Sequence, residues 1–261
     1  MSDQRNHKIY TDSMAHSIWD KAFFMDKIGD ADAIIDFGCA DGAMIRFLAP
    51  LFPDKKFYGY DIDLEMIRMA IEKSIPNDDI GFYCDGQLDY MIKVIKASGA
   101  KSICLNLSSV LHEVYSVSGG RDAINQILTE LPVNYITIRD MYFHMDSDKF
   151  FLVTPPNYFF KHFNPEKITQ FEARYGKLDN LKNIVHFMMK YQWVGNGWEE
   201  ELEENYFSWD IKKFMSDIHW PGSPVFEAHY LLPHLCYRWL KEYEVWLPDV
   251  HTHAQFVLAK H

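Results

Sequence analysis

The stretch Ala33-Ile34-Ile35-Asp36-Phe37-Gly38-Cys39-Ala40-Asp41-Gly42 decides the fold. An apolar run leads into an aspartate, and two glycines follow it. Beyond them Met44, Phe47, Leu48 and Leu51 mark a helix-like stretch. The sequence therefore predicts a strand, a tight turn and a helix start. Gly38 lets the backbone approach a ligand closely, and Gly42 can take backbone angles closed to other residues. The N–H groups of the helix start would face that ligand, as in nucleotide sites. The spacing is D-x-G-x-x-x-G rather than the G-x-G-x-x-G of dinucleotide binders, which disfavours a nicotinamide dehydrogenase.

Outward from this turn the pattern repeats. Strands are predicted over about 32–37, 56–61, 80–84, 102–107 and 135–138. Helices are predicted between them: 42–51, one from Asp63 through Met66, Ile67, Ala70 and Ile71, one through Leu88, Met91, Ile92 and Ile95, and one from Gly119-Gly120 to Pro132. A helix over 13–28, capped by Asp12 or Ser13, groups Ile18, Trp19, Ala22, Phe23 and Met25 on one side. Five β-α repeats imply a mainly parallel sheet with helices on both faces. In such sheets ligands bind beyond the carboxyl ends of the strands. The fifth strand is expected to end in Arg139-Asp140. After residue 141 the alternation stops, and 145–235 reads as an aromatic-rich insertion with the acidic run Glu199-Glu200-Glu201, Glu203-Glu204. A closing hairpin is expected from 243–247 and 254–258.

Composition narrows the function. The chain has 261 residues, 48% of them hydrophobic and 24% charged, as in ordinary soluble globular proteins. Its net charge of -11 argues against a nucleic-acid partner, because neutralising phosphates needs a lysine and arginine surface. The cysteines Cys39, Cys84, Cys104 and Cys236 form no C-x-x-C pair, so they read as reduced thiols of a cytoplasmic protein rather than a zinc cluster. The polar start, Met1 to Lys8, does not read as a signal peptide, and no apolar run is long enough to span a bilayer.

Four stretches, taken in order, resemble the class I S-adenosylmethionine-dependent methyltransferase family, in its small-molecule branch. They are Ile34 to Gly42, Tyr58-Gly59-Tyr60-Asp61-Ile62-Asp63, Phe82-Tyr83-Cys84-Asp85-Gly86, and Leu105 to Val114. The match covers roughly 30–140, with an echo in the last twenty or so residues. The resemblance implies a Rossmann-like, doubly wound α/β fold: a mainly parallel seven-stranded sheet, an antiparallel last strand and the helical insertion between strands five and six. It implies a single domain over 1–261, with 1–30 as a helical cover and 145–235 as an insertion or cap. It also implies S-adenosylmethionine as cofactor, with S-adenosylhomocysteine as product. Asp36, Gly38, Cys39, Ala40 and Gly42 would surround its methionine part, and Asp61 would accept from both ribose hydroxyls. Ile62, Asp85, Gly86, Leu107 and Ser108 would complete the pocket, with Asp85 at the adenine amino group. The family often has glycine where Ala40 stands; alanine keeps the turn unless residue 40 needs a positive φ.

The expected reaction is in-line displacement of the methyl group onto a small-molecule acceptor, where positioning carries much of the catalysis. His112 is a candidate general base near neutral pH, or else a residue packed on the sheet or capping the helix. Tyr115 is a lining candidate. Asp140 can orient an amine and Arg139 can hold a substrate carboxylate, or the two form a structural ion pair. His144 is a further substrate contact. The His144-x-Asp146 pair offers too few ligands, and His229, His234, His251 and His253 share no spacing, so no metal is expected. The aromatics of the insertion read as a lid over an acceptor or as the core of a helical cap. Two alternatives stay open: an RNA or protein acceptor, and a non-catalytic binding or scaffold protein on this fold. Membrane association is not expected, and the oligomeric state is not legible.

Overall fold

The computed structural model describes residues 18–77, 79–116, 120–145, 157–195, 197–247 and 249–261. The strands are β1 (Ala33–Phe37), β2 (Lys56–Asp61), β3 (Ile80–Cys84), β4 (Ile103–Ser108), β5 (Val133–Met145), β6 (Gly222–Tyr230) and β7 (Val250–Lys260). The helices are α1 (Ile18–Lys21), α2 (Ala43–Leu48), α3 (Leu64–Lys73), α4 (Leu88–Ala97), α5 (Leu111–Ser116), α6 (Gly120–Glu130), α7 (Asn157–Phe160), α8 (Pro165–Tyr175), α9 (Leu181–Tyr191), α10 (Trp198–Glu203), α11 (Ile211–Asp217) and α12 (Pro233–Tyr243).

The strands form one seven-stranded sheet in the order β3-β2-β1-β4-β5-β7-β6. The sheet is mixed, with β7 antiparallel, and the fold is Rossmann-like α/β as expected. β1 pairs in parallel with β2 (Asp36 opposite Gly59) and β4 (Asp36 opposite Asn106). β2 pairs with β3 (Asp61 opposite Cys84) and β4 with β5 (Ser108 opposite Arg139). This register lines up the carboxyl ends of the first four strands. Every residue of β1 and β4 is buried, which is why both read as near-continuous apolar runs rather than alternating ones.

The chain divides into two compact units. One holds the described residues up to Asp140, with Trp209–Ala228 and Gln255–His261. Its core gathers Phe24, Ile28, Ile34, Met44, Ile45, Leu48, Phe57 and Val257. Asp63 caps α3 by accepting from the N–H groups of Glu65 and Met66, so the helix starts where its sequence predicts. The predicted helix over 13–28 is shorter among the described residues: α1 ends at Lys21 and turns follow. Trp19 is 77% exposed, and Phe24 and Ile28 take the buried places instead. The expected caps Asp12 and Ser13 lie outside the described residues, as do Gly119 and Asp146.

The other unit holds described residues of Met141–Ser208 and His229–Ala254. Its aromatics build its own core. The Phe163 ring lies 5.0 Å from Phe187, 4.8 Å from Tyr191 and 4.6 Å from Tyr243, with Trp198 and Trp239 fully buried beside them. The acidic run is not wholly solvated. Glu199 and Glu200 are exposed, but Glu201 is buried and accepts from the Tyr206 hydroxyl. The buried Lys190 donates to the Glu201 and Glu204 carbonyls and lies 3.6 Å over the Tyr206 ring.

Two strand expectations are corrected. β5 does not end at Arg139-Asp140 but runs to Met145. Its alternate residues Met141, Phe143 and Met145 pack on the aromatic core, which rewards continued extension. The expected strand at 243–247 is absent. Leu235, Trp239 and Tyr243 are buried at four-residue spacing on α12, which ends where Glu244 takes φ 57. The sixth strand lies earlier, at Gly222–Tyr230, and helices α7 to α11 lie between β5 and β6 in the chain.

Candidate functional site

The turn after β1 is built by three successive left-handed positions: Gly38 (φ 78), Ala40 (φ 46) and Gly42 (φ 73). The two glycines are obligatory by space as well as angle. A Cβ on Gly38 would sit 2.7 Å from Val110 Cγ2, and one on Gly42 would sit 2.6 Å from Phe82 Cε1. Ala40 carries the positive φ that its sequence expectation set as the condition for trouble, so the turn holds a strained alanine. α2 spans six residues rather than the expected 42–51.

Asp61, at the end of β2, closes on this turn. Its carboxylate accepts the Ala40 N–H at 2.8 Å and the Asp63 N–H at 2.9 Å. Burial raises its pKa, and backbone bonds from Asp63, Ala40 and Ile62 oppose the rise. A carboxylate has about four acceptor positions, more than these bonds fill. Ile62 is exposed beside it. Asp85 is exposed and accepts the Gly86 N–H at 3.0 Å. Gly86 has φ 79, and no atom lies within 4 Å of where its Cβ would stand. The Ser108 hydroxyl is buried with no hydrogen-bond partner among the described residues. The Leu107 side chain is fully buried, so only its backbone can face a ligand. Cys39 is buried too, and burial pushes its thiol well up, so it stays protonated. Asp41 turns to Lys73 at 2.6 Å.

Asp36 lies beneath the turn, fully shielded. The Asn106 amide donates to it at 2.7 Å, and the Thr137 hydroxyl donates to Asn106 at 2.9 Å. Burial raises its pKa to about 6, with the Asn106 bond and Lys21 pulling the other way. Lys21 is itself buried, and its ammonium is pushed down to about 8 by burial first and by Arg139 second.

His112, the first-turn residue of α5, meets Asp140 of β5. Its Nδ1 lies 2.8 Å from Asp140 Oδ1, and its backbone N–H donates to Asp140 Oδ2 at 3.1 Å. The carboxylate thereby fixes the ring from two sides. Arg139 reaches partners outside β5. Its guanidinium donates to Asp20 at 2.6 Å and to the Ser109 hydroxyl at 3.1 Å. Asp20 in turn accepts from the Gln255 amide at 2.8 Å. The Tyr115 hydroxyl donates to Asp217 at 2.8 Å; burial, then this bond, raises its pKa. His144 belongs to the other compact unit and sits within β5 rather than on a loop.

The structure brings together Gly38, Ala40, Gly42 and Asp61, and separately His112 and Asp140, a pair that the sequence did not suggest. Sequence reasoning missed Asp20, Lys21, Asn106 and Ser109. An Asp-Lys pair inside an otherwise apolar helix was a usable signal for the first two. Nothing local marked the others.

Neither any family model nor any curated protein matches the sequence. Solved structures do resemble the fold. The methyltransferase domain of bacterial CtHen1-C has a TM-score of 0.51 at 9% identity, covering 94% of this chain and 97% of that one. A SAM-dependent methyltransferase from Anabaena variabilis ATCC 29413 has a TM-score of 0.47 at 12% identity, covering 88% and 77%. The N-methyltransferase NodS from Bradyrhizobium japonicum WM9 has 0.45 at 10%, covering 96% of each. The first likeness and the strand order together show the class I methyltransferase fold.

Proposed function

We propose that this protein is an S-adenosylmethionine-dependent methyltransferase acting on a small-molecule acceptor. The observation that carries the reading is Asp61. It is held against the glycine turn by the Ala40 N–H and keeps acceptor capacity in reserve. The residues present fit the cofactor on further counts: the open space at Gly86, the unsatisfied Ser108 hydroxyl and the exposed Ile62. On this reading Asp61 would hold the ribose hydroxyls, Asp85 and Gly86 the adenine, and the turn from Gly38 to Gly42 the methionine part. The chemistry such a cofactor supplies is an electrophilic methyl group on a sulfonium.

The chain's own residues supply a proton acceptor. With Nδ1–H donating to Asp140, His112 Nε2 carries the basic lone pair. His112 takes the acceptor's proton at Nε2, and Asp140 stabilises the resulting cation. Arg139 holds Asp20 and Ser109, which makes it a positioning residue in this reading. The acidic charge supports a small acceptor over a nucleic acid. Among the described residues no helix is long and apolar enough to cross a membrane. The four free cysteines support a cytoplasmic location.

Calorimetric titration with S-adenosylmethionine and S-adenosylhomocysteine, with NAD as control, tests the cofactor. Micromolar binding of either one is expected, and no binding to folded protein would overturn the assignment. Asp61→Ala should weaken that binding by about 10- to 100-fold, the cost of losing a charged acceptor. Asp61→Asn, which keeps one acceptor for the turn, should fall in between.

A further inference from the structure

We propose a transition-metal site formed by His144, His229 and His251. The three come from β5, β6 and β7, which are neighbours in the sheet in the order β5-β7-β6. They are 85 and 22 residues apart in the chain, which is why spacing gave no hint of them. One ring nitrogen from each lies within 4.8 Å of the other two. The His144 and His229 ring centroids are 4.0 Å apart, and His251 lies 5.7 Å from His144 and 6.3 Å from His229. Tyr142 stacks on His229 at 5.4 Å and 4°, which holds that ring in orientation.

Imidazole nitrogens bind first-row metals at about 2.0–2.1 Å, so the edge of a tetrahedral site is roughly 3.4 Å. Side-chain shifts of about an ångström bring these nitrogens to that edge. All three side chains are half-buried and carried on strands. Three imidazoles without a carboxylate or thiolate select borderline ions such as Zn²⁺ or Co²⁺ over Mg²⁺ and Ca²⁺. Three protein ligands also leave a fourth position for water or a ligand, the pattern of an open rather than a structural zinc site. The proposal is independent of the cofactor reading above.

The test uses the full chain without a histidine tag, stripped with chelator and titrated with Zn²⁺ and Co²⁺. One equivalent should bind with a Kd at or below about 1 μM. Bound Co²⁺ should show the intense visible bands of four-coordination. His144→Gln, His229→Gln and His251→Gln should each weaken binding by at least about 100-fold, more than an outer-shell change does. The exposed His219, replaced in His219→Ala, should change nothing. Circular dichroism separates a lost ligand from a lost fold. If a variant fails to fold, the wild-type Co²⁺ spectrum still decides. Binding that survives all three substitutions, a six-coordinate Co²⁺ spectrum, or no saturable binding would overturn the site.

Discussion

Replacing Asp36 by asparagine should change how stability depends on pH. Asp36 is fully buried, with its pKa raised from 3.8 to about 6. The sign follows from linkage. Between those two values the folded state holds more protons than the unfolded one, so stability falls as pH rises. The stabilising protonated form is complete below pH 3.8 and lost as pH rises through about 6. About two pK units at 1.36 kcal/mol each give about 3 kcal/mol in all, of which about 2 kcal/mol falls between pH 4.5 and 7. Asp36→Asn keeps an acceptor oxygen for the Asn106 amide but cannot ionise. Its constant effect on packing cancels when one compares the two pH values. Urea unfolding of both proteins at pH 4.5 and pH 7 should therefore show the variant gaining about 2 kcal/mol on the wild type as pH rises. A ¹³C-carboxyl titration reads the same group directly. Parallel pH profiles, or an Asp36 pKa near 4, would refute the argument that burial outweighs the Asn106 and Lys21 contacts.

Lys21 gives the complementary test. Its folded pKa of about 8 lies below the unfolded 10.5, so the folded chain sheds that proton first and stability should rise between those pH values, by about 3 kcal/mol over the window. Melting temperatures of Lys21→Met should lack that rise. Ala40→Gly should stabilise the protein by about 0.5–1 kcal/mol, because relief of a left-handed alanine outweighs the greater unfolded-state entropy of glycine; a lower melting temperature would count against the φ of 46.

How much was legible follows from where the physics resides. The β-α repeats, the glycine turn and the acid after β2 could be read because each is a local pattern: apolar runs, helical spacing, or a residue needed for its backbone angles. The resemblance to a methyltransferase rested on those same short stretches. The reading failed where packing at a distance chose. β5 runs past Asp140 because Met141, Phe143 and Met145 find an aromatic core built from 159 to 250. Residues 243–247 left the sheet because Trp239 and Tyr243 were needed in that core on a helix. Ala40 has an innocuous identity, and only the turn's closure onto Asp61 imposes its φ. Adjacent strand residues face opposite ways, and Arg139 and Asp140 meet partners that the sequence did not suggest: Asp20, 119 positions away, and His112, 28 away. His229 and His251 share no spacing in the sequence, and His144 was expected only as a substrate contact; strand order gathers the three. The sequence alone determined the strand–turn–helix order around the glycines and the class of sheet. The tertiary structure alone decided which charges meet, because a buried charge takes its partner from whatever the sheet brings beside it.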